Sequence, residues 1–145
     1  MQLSHLSYDL ERLEAACARL ALRLAVLFGS RGTGVPPPSG GSDLDVAVLG
    51  KVGAPAGALL SYLRELAPVF GEHSLDLVLL DTADPLLRWE VMRSGILLCG
   101  DPDVFLEYRA FAHRDFVDSA DLRALEGALF RKKMDHLRQE LNAAP

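Results

Sequence analysis

Short apolar runs alternate with helical patterns along this 145-residue chain, and this alternation constrains its fold most strongly. Four of the runs are the length of buried strands and lie at residues 22–28, 43–49, 75–80 and 96–99. Apolar residues recur at helical spacing over residues 3–20, 59–70 and 83–94, with Ser7 as the expected N-cap of the first helix and Gly95 as the expected C-cap of the third. The pattern predicts an α/β (α+β) fold in which a small mixed β-sheet is covered by helices.

The chain is expected to form one domain over residues 1–145, with a core over about residues 1–100. Residues 31–42 are rich in glycine and proline, which predicts a loop. Two further helices are predicted over about residues 102–142. They either pack on the sheet or offer an interface, so self-association stays open. The predicted apolar side of the last helix carries Leu122, Leu125, Leu129, Phe130, Met134, Leu137 and Leu141.

The charge balance argues against several classes of partner. The chain has 15 Lys+Arg against 20 Asp+Glu, so a broad contact with a nucleic-acid backbone is not expected. No apolar run approaches the ~20 residues that a membrane helix needs, and the first residues lack the basic segment of a secretory signal, so a cytoplasmic location is expected. Cys17 and Cys99 form no CxxC pair and are interpreted as two buried thiols.

Two carboxylates stand two residues apart at the start of the second predicted strand. Because side chains alternate along a strand, Asp43 and Asp45 point to the same side. Adjacent anions repel, and a hard divalent cation with oxygen ligands such as Mg²⁺ relieves that repulsion. Asp76 begins the next apolar strand, whereas Asp81 and Asp84 lie beyond it. If the two strands are neighbours, Asp43, Asp45 and Asp76 converge at one sheet edge and form a metal site.

A second candidate site follows the first predicted strand, where Gly29, Ser30 and Arg31 stand in succession. Glycine permits a tight turn and close approach of a ligand to the backbone. Free backbone N–H groups and the Ser30 hydroxyl would cradle phosphate oxygens, and Arg31 would add positive charge. These three residues are therefore the predicted polyphosphate-binding segment.

The order of these motifs makes the chain resemble a known superfamily. Gly29-Ser30, then DLD at residues 43–45 and LDLVLL at residues 75–80, are similar to the G-S…D-x-D signature of nucleotidyltransferases with the DNA polymerase β palm fold. Within that superfamily the chain is most similar to the minimal nucleotidyltransferases, the MntA-type antitoxins paired with HEPN-domain toxins. The likeness extends over most of the chain, and it implies a polymerase β-like fold with a C-terminal helical extension.

The resemblance also implies a reaction and a partner. ATP would be the substrate, and two Mg²⁺ ions would be held by Asp43 and Asp45, with Asp76 completing the ion that activates the acceptor. AMP would pass to a hydroxyl, expected to belong to a tyrosine of a HEPN-type toxin that is an RNase.

Two alternatives remain open. In one, the chain silences a toxin by covering it, with little or no catalysis; the intact aspartate trio favours the enzyme instead. In the other, the chain adenylylates a small molecule such as an aminoglycoside. Enzymes of that kind usually carry a larger extra helical domain, whereas only about 40 residues follow the predicted core here.

Overall fold

The structure is a computed structural model that describes residues 2–3, 6–29, 44–51, 58–71 and 74–143. Within these residues the chain forms six strands and five α-helices. The first two strands, β1 (Gln2–Leu3) and β2 (Leu6–Ser7), pair antiparallel with each other and stand apart from the main sheet. No helix in the described part of the chain is long and apolar enough to cross a membrane.

Helix α1 (Leu10–Leu20) begins later than the sequence pattern predicts. The expected helix is confirmed over residues 10–20. Its expected start, with Ser7 as the N-cap, is wrong, because residues 2–3 and 6–7 pair as strands. Asp9 is the actual N-cap: its backbone is extended, and its Oδ1 accepts a hydrogen bond from the Arg12 N–H at 3.1 Å. An aspartate in that position satisfies one of the free N–H groups at a helix start, so it decides where the helix begins.

The main sheet has four strands in the order β5–β4–β3–β6. They are β3 (Leu24–Phe28), β4 (Leu44–Leu49), β5 (Leu75–Leu79) and β6 (Ile96–Gly100). Strands β4 and β5 run parallel, while β3 pairs antiparallel with both β4 and β6. The predicted mixed sheet is therefore confirmed.

Helix α2 (Ala58–Leu66) lies between β4 and β5 along the chain and continues into a 3₁₀ turn, Ala67–Phe70. Helix α3 (Pro85–Ser94) connects β5 to β6; it starts at the N-cap Asp84 and ends where the Gly95 N–H donates to the Val91 carbonyl. Two helices follow the sheet as predicted, α4 (Pro102–Asp118) and α5 (Ala120–Ala143). Proline at the first turn of α3 and α4 suits a position whose N–H has no helical partner.

Helices cover both faces of the sheet, so β4 is buried on both sides. Leu44, Val46 and Val48 are buried on one face of β4, and Ala47 and Leu49 are buried on the opposite face. One core lies between the sheet and α1, α2 and the 3₁₀ turn, and includes Leu13, Cys17, Leu27, Val46, Leu66 and Phe70. The other lies under α3 and α4, and includes Val26, Ala47, Leu49, Val91, Met92 and Phe105.

Candidate functional site

Two aspartates stand side by side at the beginning of the parallel strand pair. Asp45 of β4 is the register partner of Asp76 of β5. The pairing starts just before them, where the Leu44 N–H donates to the Ser74 carbonyl at 2.8 Å. Register partners in a sheet point to the same face, so both carboxylates belong to the face that α3 and α4 cover further along. The sequence-based expectation that these strands are neighbours is confirmed.

Gly29 lies against this pair from the other side. In the antiparallel ladder Phe28 is the register partner of Asp45, and Gly29 is the next residue of the chain. Gly29 has a φ of +75°, and a Cβ added to it would collide with Oδ2 of Asp45. Glycine is thus required at this position for two reasons: the backbone has a left-handed conformation, and the carboxylate occupies the space that a side chain would need.

The two carboxylates differ in their surroundings. Asp45 is half-buried and Asp76 is exposed. Further along the same strands, the residues on this face are apolar, for example the buried Ala47 and the half-buried Val78. Like charges on adjacent strands repel each other, and a hard cation that takes oxygen ligands removes the repulsion. The donor chemistry of the pair therefore fits Mg²⁺.

The other predicted site residues fall outside the described ranges. Asp43, the third predicted ligand, and Ser30 and Arg31 of the predicted phosphate segment all belong to residues 30–43. In the described part of the chain, no three His, Cys, Asp or Glu side chains come together in a way that could hold a metal ion. The structure thus brings together Gly29, Asp45 and Asp76, and a three-carboxylate site with Asp43 stays a prediction.

The carboxylates nearest to Asp76 along the chain have structural roles. Asp81 accepts a hydrogen bond from the Gly50 N–H at 3.3 Å, at the opposite end of the β4–β5 pair. Asp84 caps α3 by accepting from the Leu87 N–H at 2.8 Å. The position of Asp76 at the strand start, used in the sequence argument, therefore selects the aspartate that faces Asp45. The sequence argument did not predict that Phe28, just before Gly29, pairs with Asp45 in the antiparallel ladder.

Solved structures with a similar fold come from toxin–antitoxin systems. One is a toxin–antitoxin complex with AMP-PNP, at 23% identity and a TM-score of 0.67 over 87% of this chain and 98% of the matched chain. A second, from Shewanella oneidensis, is a tri-AMPylated HEPN toxin in complex with MNT antitoxin, at 23% identity, a TM-score of 0.58, and coverage of 87% and 99%. A third is an MntA–HepT toxin–antitoxin, at 22% identity, a TM-score of 0.61, and coverage of 86% and 96%. At these identities the likeness establishes the fold.

A family model places the chain more directly. No curated protein matches it at a significant level. The model described as polymerase beta, nucleotidyltransferase, matches residues 11–103, which include Gly29, Asp45, Asp76 and all four strands of the main sheet. The chain belongs to the polymerase β nucleotidyltransferase family.

Proposed function

We propose that this chain is a Mg²⁺-dependent protein adenylyltransferase that moves AMP from ATP to a tyrosine hydroxyl of a HEPN-type toxin, and so acts as its antitoxin in the cytoplasm. The observation that carries the proposal is the side-by-side register of Asp45 and Asp76 next to Gly29. This arrangement offers carboxylate oxygens for a cation and, at the glycine, a backbone that a polyphosphate can approach closely.

The metal would be held by Asp45 and Asp76 together with Asp43. When bound, Mg²⁺ would stabilise the charge on the entering and leaving oxygens of the transferred phosphoryl group. Asp45 is held in place by the antiparallel ladder on one side and the parallel ladder on the other. A carboxylate on a central strand is therefore positioned more rigidly than one on a loop.

The acceptor hydroxyl loses one proton during the transfer, so a base must accept it. The acceptor oxygen forms a bond to the α-phosphorus of ATP, and the bond from that phosphorus to the bridging oxygen of pyrophosphate breaks. Asp76 is the exposed carboxylate of the pair and lies on the edge strand, so an acceptor hydroxyl from another molecule can reach it. It accepts the hydroxyl proton as general base.

The choice of nucleotide and acceptor is supported by the similar structures. One of them contains AMP-PNP, an analogue of ATP, and another contains an AMPylated HEPN toxin. Both adopt the fold of this chain over nearly the whole matched length. The acidic edge of this chain offers two carboxylates of the kind that such a transfer uses.

A transfer assay tests the proposal. The purified chain is incubated with α-labelled ATP, Mg²⁺ and the HEPN-type toxin encoded beside it, and the toxin is then denatured before the label is counted. We expect covalently bound label that disappears when EDTA replaces Mg²⁺ or when the acceptor tyrosine is changed to phenylalanine. Asp76→Asn should lower the rate by about 10²–10⁴-fold, the range for loss of a general base.

Asp84→Asn is the matched control, because it makes the same chemical change and asparagine also caps helices well. It should transfer label at the rate of the unmodified chain. The assay also separates the alternatives. Toxin that is silenced by Asp45→Asn without label would mean that the chain acts by covering its partner, and label on an aminoglycoside alone would mean a small-molecule acceptor.

A further inference from the structure

Helix α5 carries a large apolar surface that the rest of the chain leaves uncovered. The structure describes α5 along its whole length, and none of its side chains is buried. Monomeric proteins seldom expose large contiguous apolar patches, so a helix face lined with exposed apolar side chains indicates an interaction site. Its large apolar side chains are between 37% and 77% exposed: Leu122, Leu125, Leu129, Phe130, Met134, Leu137 and Leu141.

These side chains form two neighbouring rows on one side of the helix. In each row the residues are four apart, so they lie one turn above another. Each row also contains one charged residue, Glu126 in the first and Lys133 in the second. The first row is Leu122, Glu126, Phe130 and Met134, and the second is Leu125, Leu129, Lys133, Leu137 and Leu141. Apolar rows at positions three and four residues apart let a helix pack along its length on another helix at a crossing angle of about 20°.

The first row continues into a groove beside the helix. The groove has a volume of about 480 Å³. Its apolar lining comes from Leu122 and Phe130 of α5 and from Pro85 and Leu86 at the start of α3, and the polar side chains of Asp84, Ser119, Arg123 and Glu126 also line it. Leu86 is itself 47% exposed. The groove widens the apolar surface beyond one helix and leaves room for side chains from a helix that packs across α5.

The two rows of α5 are complementary to the same two rows of a second copy of the helix that runs antiparallel to it. A two-fold axis between Leu129 and Phe130 brings Glu126 level with the oppositely charged Lys133 of a second copy. The same operation sets apolar residues level with apolar residues: Leu129 with Phe130, Leu125 with Met134, and Leu122 with Leu137. A two-fold interface has this property by necessity, because each contact occurs twice.

Other two-fold arrangements of the helix lack this match. An axis at Lys133 places that lysine against itself and Glu126 against Glu140. A parallel pair places Lys133 on Lys133 and Glu126 on Glu126. Opposed like charges weaken an interface, so both of these arrangements are less favourable than the antiparallel register about Leu129 and Phe130.

We propose that the exposed face of α5 is a dimer interface, on which α5 of a second copy of this chain packs antiparallel with the two-fold axis between Leu129 and Phe130. The interface would contain apolar side chains from both copies. This inference does not depend on the proposed transfer reaction, because it uses no residue of the acidic edge.

Sedimentation velocity and light scattering on the full-length chain test the proposal. We expect a concentration-dependent dimer of twice the 15.8 kDa chain mass. Leu129→Glu should shift it to monomer without changing its circular dichroism, because Leu129 is 57% exposed and supports no core. Glu126→Lys and Lys133→Glu should each raise the dimer dissociation constant at least about 10-fold by opposing like charges.

The double variant Glu126→Lys with Lys133→Glu restores the counter-charges and should return the dissociation constant to within about 3-fold of the unmodified chain. Asp135→Lys is the control charge reversal, since Asp135 lies on the other side of α5, and it should leave the dimer intact. A chain that is monomeric at every concentration, a dimer that survives Leu129→Glu, or a double variant no better than the single ones would each overturn the proposal. So would a monomer whose Leu129→Glu variant loses capture of the HEPN-type toxin, because the toxin would then occupy this face.

Discussion

Gly29 shows how one residue without a side chain shapes the acidic edge. Its positive φ and its contact with the Asp45 carboxylate mean that Gly29→Ala introduces two separate faults. The left-handed backbone should lower the free energy of unfolding by about 1–2 kcal/mol. The added methyl group should also displace the Asp45 carboxylate from its place beside Asp76, so we expect the rate of label transfer to fall much further than the free energy of unfolding. Urea unfolding and the transfer assay measure the two effects on the same preparation.

Gly71→Ala is the control that introduces backbone strain without displacing a neighbouring side chain. Gly71 also has a positive φ, +64°, but a Cβ added there meets nothing within 4 Å. The Gly71→Ala variant should therefore lose stability while keeping full transfer activity. If Gly29→Ala stays as active as Gly71→Ala, the close packing of Gly29 on Asp45 has no catalytic importance.

Cys17 makes the stability of the chain sensitive to alkaline pH. Burial, and next the proximity of Cys99, raise the pKa of the Cys17 thiol to about 12 from an ordinary value of 9.0. The native state therefore keeps the proton that the unfolded chain releases above pH 9, and this part of the stability is present below pH 9 and is lost as the pH rises toward 12. From about pH 8 to about pH 10.5 the group should cost roughly 2 kcal/mol.

Urea unfolding of the unmodified chain and of Cys17→Ala at these two pH values measures that contribution. The alanine variant should start less stable because it loses packing, and should then fall less with pH. Parallel losses in the two proteins would show that Cys17 does not titrate differently on unfolding. The sequence-based interpretation of a buried thiol is confirmed for Cys17, whereas Cys99 is only half-buried.

At the scale of elements, Arg88 of α3 ties the end of β5 to α4. Its guanidinium donates to the Leu80 carbonyl at 3.0 and 3.1 Å and to the Asp115 carboxylate at 2.8 Å, and its side chain is only 12% exposed. The Tyr108 hydroxyl donates to the same carbonyl at 3.3 Å. Arg88→Met leaves the carbonyl and the carboxylate without this donor, and should lower the free energy of unfolding by about 3 kcal/mol.

Arg19→Met is the comparison for that measurement. Arg19 pairs with Glu65 at a similar distance, 2.9 Å, but the two side chains are 60% and 40% exposed. An exposed pair contributes less than about 1 kcal/mol, so Arg19→Met should be close to neutral. Equal losses for the two variants in urea unfolding would show that burial does not determine the strength of these ion pairs.

Most elements, and the neighbouring places of two site carboxylates, were predictable from the sequence for a physical reason. A short apolar run that begins with aspartate, as at Asp45 and Asp76, predicts a buried strand whose first residues stay accessible to solvent. A helix between two such strands predicts a parallel pair. The start of α1 was not predictable from periodicity alone, since Leu3 and Leu6 fit a helical spacing but pair as strands. There the capping ability of Asp9 outweighs the apolar pattern.

At the scale of the whole molecule, periodicity identifies the apolar side of an element but not what covers it. Leu49 and Ala47 are buried because α3 and α4 cross their face of the sheet, which depends on the strand order β5–β4–β3–β6. The leucines of α5 have the same pattern as a core helix, yet the structure leaves them exposed. Which element packs on an apolar face depends on the fold of the whole chain, and the local sequence of a strand or helix does not reveal it.

The same distinction predicts that the chain can lose α5 and remain folded. Deletion of residues 120–145 removes no buried side chain among the residues described. It does remove the Arg123 guanidinium from the Phe116 ring, where it lies 3.9 Å from the centroid and contributes about 1 kcal/mol. We therefore expect the shortened chain to unfold cooperatively within about 1 kcal/mol of the full chain and to sediment as a monomer. Urea unfolding and sedimentation velocity measure these two properties, and a shortened chain that does not fold would mean that α5 belongs to the core.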